Sequence, residues 1–90
     1  MATLLVKHRV ANFEEWKKIF DSMDHVRKEH GFTGSTVHRD ATDPNIVVIV
    51  NHVRSLDGAK RYGGSQVLRD AMARAGVQGI PEIAFLNDVA

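Results

Sequence analysis

Residues 46–50 read Ile-Val-Val-Ile-Val, five β-branched residues in a row with no polar interruption. Such side chains fit a pleated strand. Because successive side chains point to opposite faces, the run puts apolar groups on both faces of a sheet. Both faces must therefore be covered. In a chain of 90 residues that is a demanding condition, since a domain of this size buries only about 60–65% of the surface its unfolded form exposes. One layer of helices covers one face, so the run predicts helices on one side of the sheet and something else on the other.

The flanking sequence supplies the remaining elements. Thr3 to Val10 reads as a strand with Leu4, Val6, His8 and Val10 on a core-directed face. Asn12 is placed to cap a helix and Glu15 to complete a capping box. Phe13, Trp16, Phe20 and Met23 then recur at three- and four-residue spacing, flanked by Ile19 and Val26, and Gly31 is the expected end of this helix. A second strand is expected over Phe32 to Asp40, with a turn at Asp43, Pro44 and Asn45 before the strand Ile46 to Val53. Ser55 and Ser65 are candidate caps on either side of a break at Gly63 and Gly64. Val67, Leu68, Ala71, Met72 and Ala75 form the apolar stripe of the second piece, Gly76 ends it, and a last strand is expected over Glu82 to Asn87.

The order β-α-β-β-α-β is the split βαβ, or ferredoxin-like, α+β arrangement: an antiparallel sheet with both helical segments on one face. The whole chain, residues 1–90, is expected to be one such domain. Its other face would carry alternate residues of Ile46 to Val50 and Ile83 to Leu86, a patch too apolar to leave in water. A second copy related by a two-fold axis is the simplest cover. Charge at Ile49 or Val48 is expected to disrupt that contact.

Composition narrows the partners. There is no Cys, so neither disulfides nor thiolate metal sites are available, and the expected setting is cytoplasmic. Twelve basic and 11 acidic residues are spread along the chain, giving a net charge of +1, which offers no field for nucleic acid or an anionic membrane. The N-terminal run is too short for a membrane span and lacks a signal-peptide pattern.

The strand Leu-Leu-Val-Lys-His-Arg-Val, the following Asn-Phe-Glu-Glu-Trp-Lys-Lys-Ile-Phe-Asp, the Asp-Pro-Asn turn, and Leu-Arg-Asp-Ala-Met-Ala-Arg-Ala-Gly-Val with Pro-Glu-Ile-Ala-Phe-Leu together resemble the dimeric α/β-barrel superfamily. Within it, the chain is similar to the small antibiotic-biosynthesis-monooxygenase-like proteins. The resemblance covers nearly the whole chain. It implies a homodimer with a ligand pocket inside each subunit, between sheet and helices, lined by combinations of Trp, Tyr, His, Asn and Arg. It also implies activities that include cofactor-free oxygenases and cyclases acting on polycyclic aromatic polyketides. Fold alone does not fix which activity a member has.

Five histidines are the natural candidates for proton transfer near neutral pH. His8, on the core-directed parity of the first strand, is the candidate general base; the plain alternative is a hydrogen-bonded core imidazole. His30 continues the helix stripe and is expected either to cap the helix or to contact ligand at the pocket rim. His38 and His52 lie on neighbouring strands and are assigned to the interface or solvent, and His25 to the surface. Trp16, Tyr62 and Met72 are the other candidate substrate contacts. Trp16 is also a natural core anchor, and Tyr62 sits beside a flexible Gly-Gly break. No His-Glu-x-x-His or His-x-His pattern is present, so no metal site is expected and no cofactor is assigned.

Two functions follow. One is an enzyme, a cofactor-free monooxygenase or cyclase for an aromatic or polyketide-like substrate, with His8 as base and Trp16, His30, Tyr62 and Met72 around the ligand. The other is a non-catalytic dimeric module that binds a small apolar or aromatic ligand or serves interaction.

Overall fold

The computed structural model describes residues 1–89. Strand β1 (Ala2–Val10) leads to helices α1 (Phe13–Ser22) and α2 (Asp24–Glu29), strands β2 (Phe32–Arg39) and β3 (Ile46–Val53), helices α3 (Leu56–Gly63) and α4 (Gln66–Arg74), and strand β4 (Val77–Asn87). The strands form one antiparallel sheet in the order β2-β3-β1-β4. This is the ferredoxin-like α+β arrangement, with each expected helical segment divided in two.

The cap residues act where the sequence places them, although the Glu15 carboxylate pairs with Lys18 at 3.3 Å rather than completing a capping box with Asn12. Asn12 accepts from the Glu15 amide at 3.0 Å, Ser55 from Gly58 at 3.4 Å, and Ser65 from Leu68 at 3.2 Å. Gly31 and Gly76 follow their helices at φ of 85° and 75°, the left-handed conformation that glycine adopts without penalty. The division at Met23 is a departure from the single helix expected. There the Ser22 hydroxyl donates to the Ile19 carbonyl at 2.6 Å, competing with the helical ladder, and α2 starts again at Asp24.

Pairing fixes the two faces of the sheet. Leu4 lies opposite Asn51 and Phe85, Val6 opposite Ile49 and Ile83, and His8 opposite Val47; these side chains face the helices. Leu5 lies between Val50 and Ala84, Lys7 between Val48 and Glu82, and Thr3 between His52 and Leu86; these face outward. Ile49 is thus a buried core residue, 3% exposed, and not a member of the outer patch to which the sequence reading assigns it; only Val48 of that pair points out.

Strand β4 also starts earlier than Glu82. Gly79 and Pro81 are strand breakers by composition, yet both are absorbed in a bulge: Lys7 pairs with Glu82 and Arg9 with Gln78, so Gly79, Ile80 and Pro81 stand opposite the single residue His8. Gly79 takes φ of 72° to make this bend. The ladder is therefore open beside His8.

Two apolar clusters fill the space under the helices. One gathers Ala2, Leu4, Met23, Phe32, Val53, Ala59, Tyr62 and Ala71, the other Val10, Trp16, Val47, Ile49 and Ala75. The helices leave β4 less covered than the centre of the sheet, with Ile83 and Phe85 about half-exposed on the helix-facing side.

Candidate functional site

Between the helices and the inner face of β1, β3 and β4 lies a cavity of about 260 Å³, just below the usual range of small-molecule pockets, about 300–1,000 Å³. Its lining is mostly apolar: Leu4, Val6, Ile19, Ile49, Leu68, Ile83 and Phe85 among others. Four of the five expected site residues, His8, Trp16, Tyr62 and Met72, line it together.

His8 is buried, at 8% exposure, and neither ring nitrogen has a hydrogen-bond partner. Its imidazole meets the Trp16 indole edge-on, with ring centres 5.6 Å apart. Burial without a compensating charge lowers its pKa to about 4. The ring is therefore neutral at pH 7, free to accept a proton through one nitrogen while donating through the other. Trp16 stacks in turn on Phe20 at 5.0 Å and tilts against Phe13 at 5.7 Å, which fixes the indole as one wall.

Tyr62 packs edge-on to Phe32 at 5.0 Å. Burial raises the pKa of its phenol, and the nearby Arg27 guanidinium acts in the opposite direction, so the group stays a neutral donor at physiological pH. Gly63, at the end of the same helix, also lines the cavity. His30 stands outside this lining, behind Tyr62. Its Nδ1 is 2.8 Å from the Val26 carbonyl and its ring is 5.5 Å from that of Tyr62. Its carbonyl also abuts Gly58, leaving no room for a Cβ there, so in this structure it supports Tyr62 and seats α3.

Two polar residues of the lining, Asn51 and Arg27, were not singled out from sequence. Asn51 is buried at 4% exposure. Its Nδ2 donates to the Leu4 carbonyl at 3.1 Å, and its Oδ1 accepts from the Ser35 hydroxyl at 2.7 Å. The signal was its parity, since Val47, Ile49, Asn51 and Val53 alternate on the inner face of β3. Arg27 is 4% exposed and continues the stripe Phe13, Trp16, Phe20, Met23 by one more four-residue step.

The remaining histidines lie away from the cavity. His38 and His52 both belong to β2 and β3 positions on the outer face, but Thr36 and Val50 separate them, and His38 Nε2 is 3.0 Å from the Thr36 hydroxyl. Among the described residues no cluster of three or more His, Asp or Glu is arranged to hold a metal ion. No helix among them is long and apolar enough to cross a membrane.

The arrangement is also that of several solved structures. An antibiotic biosynthesis monooxygenase-like protein of Caulobacter crescentus superposes with a TM-score of 0.78 at 22% identity, over 99% of this chain and 90% of that one. A similar protein of Bordetella bronchiseptica gives 0.80 at 13% identity, covering 99% and 97%. SnoaB, a cofactor-independent oxygenase of Streptomyces nogalater, gives 0.79 at 14% identity, covering 99% and 93%. The chain has the fold of the antibiotic biosynthesis monooxygenase-like proteins. No family model matches it, and no curated protein matches its sequence.

Proposed function

We propose that the cavity binds a flat apolar molecule of a few fused rings and that the protein acts on it as a cofactor-free oxygenase. The observation that carries this reading is a buried, neutral imidazole in the wall of an apolar cavity, with neither of its nitrogens hydrogen-bonded. In a finished core such groups are hydrogen-bonded, because each orphan costs about 1–3 kcal/mol. The likeness to SnoaB supports the same chemistry.

In this scheme His8 takes a proton from an acidified C–H of the ligand. The resulting imidazolium is stabilised by the carbanion it faces, which offsets the low basicity that burial imposes on the free ring. The delocalised carbanion is held between Trp16, Met72 and the Tyr62 hydroxyl, while His30 acts one layer out by positioning Tyr62. Molecular oxygen then accepts electrons from the carbanion, and the methylene becomes a carbonyl. One oxygen atom ends in that carbonyl; the other leaves as water with both methylene hydrogens, so the four electrons taken by dioxygen all come from the methylene carbon.

The test is oxygen uptake and quinone formation with anthrone, whose central methylene is acidified by two rings. His8→Gln is expected to lower kcat by about a hundredfold or more, while Trp16 fluorescence still reports anthrone binding. An unchanged rate in that variant removes His8 as the base. The depressed basicity of His8 also favours a second reading, a binding module in which His8 only hydrogen-bonds its ligand; saturable binding without oxygen uptake is its signature.

The functional unit in this proposal is a homodimer. Leu5, Val48, Val50, Ala84 and Leu86 form one apolar patch on the outer face, and a second copy of the sheet is its cover.

A further inference from the structure

Taking the cavity as the ligand site, its wall holds one charge that the proton-transfer scheme leaves unused. The Arg27 side chain is only 5% exposed. A buried guanidinium is costly unless its charge and its donors are met, and here they are met in part. Nη1 donates to the Phe20 carbonyl at 2.9 Å, and the guanidinium carbon lies 3.8 Å from the centre of the Phe20 ring. The Asp24 carboxylate is 3.7 Å from Nη2, stands largely in solvent, and is engaged by Lys28 at 3.0 Å. Nε has no acceptor at all.

The two sides of Arg27 differ in charge. Outside, a shallow groove holds Asp21 and Asp24, with Lys17 paired to Asp21 at 2.7 Å. Inside, none of the residues lining the cavity is acidic. The cavity therefore has low polarity, one cation in its wall, whose Nε–H is buried without an acceptor, and a neutral Tyr62 hydroxyl near that cation. Low polarity strengthens the attraction of such a cation for an anion. A single monoanionic group matches one charge and two donors; a dianionic phosphate would be under-compensated.

We propose that Arg27 and the Tyr62 hydroxyl form an anion subsite within the cavity, and that the ligand is a flat apolar molecule carrying one carboxylate. Arg27 binds the carboxylate by charge and Tyr62 by a donated hydrogen bond, leaving the apolar body of the ligand to Trp16 and His8.

The experiment compares 2-naphthoate with 2-naphthamide, equal in shape and different in charge, by calorimetric titration at pH 7.5, with the Trp16 indole N–H resonance reporting binding in the cavity. The naphthoate is expected to bind at least tenfold more tightly. Arg27→Met is expected to abolish that preference while leaving naphthamide affinity within twofold. If this variant unfolds for want of its bond to Phe20, Arg27→Gln keeps an N–H for that carbonyl without the charge and is expected to do the same. Equal affinities in the unaltered protein, or a tenfold preference that survives either folded variant, overturn the subsite but leave the cavity as a ligand site. Failure of both probes to bind overturns the cavity reading and the subsite with it.

Discussion

The two faces of this sheet are both apolar, yet they treat polar groups in opposite ways. On the outer face, the patch around Leu5, Val48 and Val50 is bordered by Thr3, Lys7, Arg9, Thr36, His38, His52 and Glu82, whose polar atoms remain in water. On the inner face, His8 and Asn51 are buried within the apolar rows, and Arg27 reaches the same cavity from α2. Asn51 is hydrogen-bonded, whereas His8 and one nitrogen of Arg27 are not. An apolar face with a polar margin suits a partner of the same kind. Polar groups stranded inside an apolar cavity are unfavourable for folding, and what they favour is a ligand that completes them.

This contrast is open to direct attack. Ile49→Asp places an unpaired charge under the helices and is expected to cost about 4 kcal/mol or more, leaving a chain without cooperative unfolding by circular dichroism. Its neighbour on the other face, Val48→Asp, is expected to spare the helical signal while weakening self-association by about a hundredfold, roughly 2.7 kcal/mol, read as a halved mass in sedimentation. The reverse pattern would mean the faces have been assigned the wrong way round.

A smaller effect separates the orphaned imidazole from the solvated ones. His8 has a folded pKa of about 4 against 6.5 for the free side chain, so the unfolded chain takes up a proton first as the pH falls. Its contribution to stability is therefore intact above pH 6.5, declines through the interval, and is gone at about pH 4. Allowing for solvent in the cavity, the loss is about 2 kcal/mol. Urea unfolding of the unaltered protein and of His8→Leu at pH 7.5 and 4.5 should show this difference; parallel pH profiles would mean that His8 is not desolvated. The mildest change, Ser35→Ala, removes the donor to Asn51 Oδ1 and is expected to cost about 1 kcal/mol, seen as a lower melting temperature with the sedimenting mass unchanged.

Much of the fold was legible because local signals agreed. Asn12, Ser55 and Ser65 cap helices, Gly31 and Gly76 end them, and the Ile46 to Val50 run lies where its chemistry requires. Strand β4 is longer than its sequence suggests, because Gly79 and Pro81 signal interruption in sequence while in space they form the bulge beside His8. Of the candidate residues, Trp16, Tyr62, Met72 and His8 fall on core-facing positions by periodicity, while the pocket they line is what the family resemblance implies. His30 does not line it, because the stripe that carries it ends in the bend before β2, where its ring turns back to the Val26 carbonyl. Arg27 is masked in the sequence because arginine reads as a surface residue, although its spacing from Phe20 and Met23 puts it on the buried stripe. Its long stem makes the burial feasible.

The uneven cover over β4 brings the cavity wall to the edge of the sheet. Ile83 and Phe85 contribute cavity wall from the last strand of the sheet, which has β1 on one side and no strand on the other. The half-exposed part of the cavity wall and the open edge of the sheet are thus the same stretch of chain. Substitutions at Ile83 or Phe85 would therefore alter the wall of the cavity and the free edge of the sheet together.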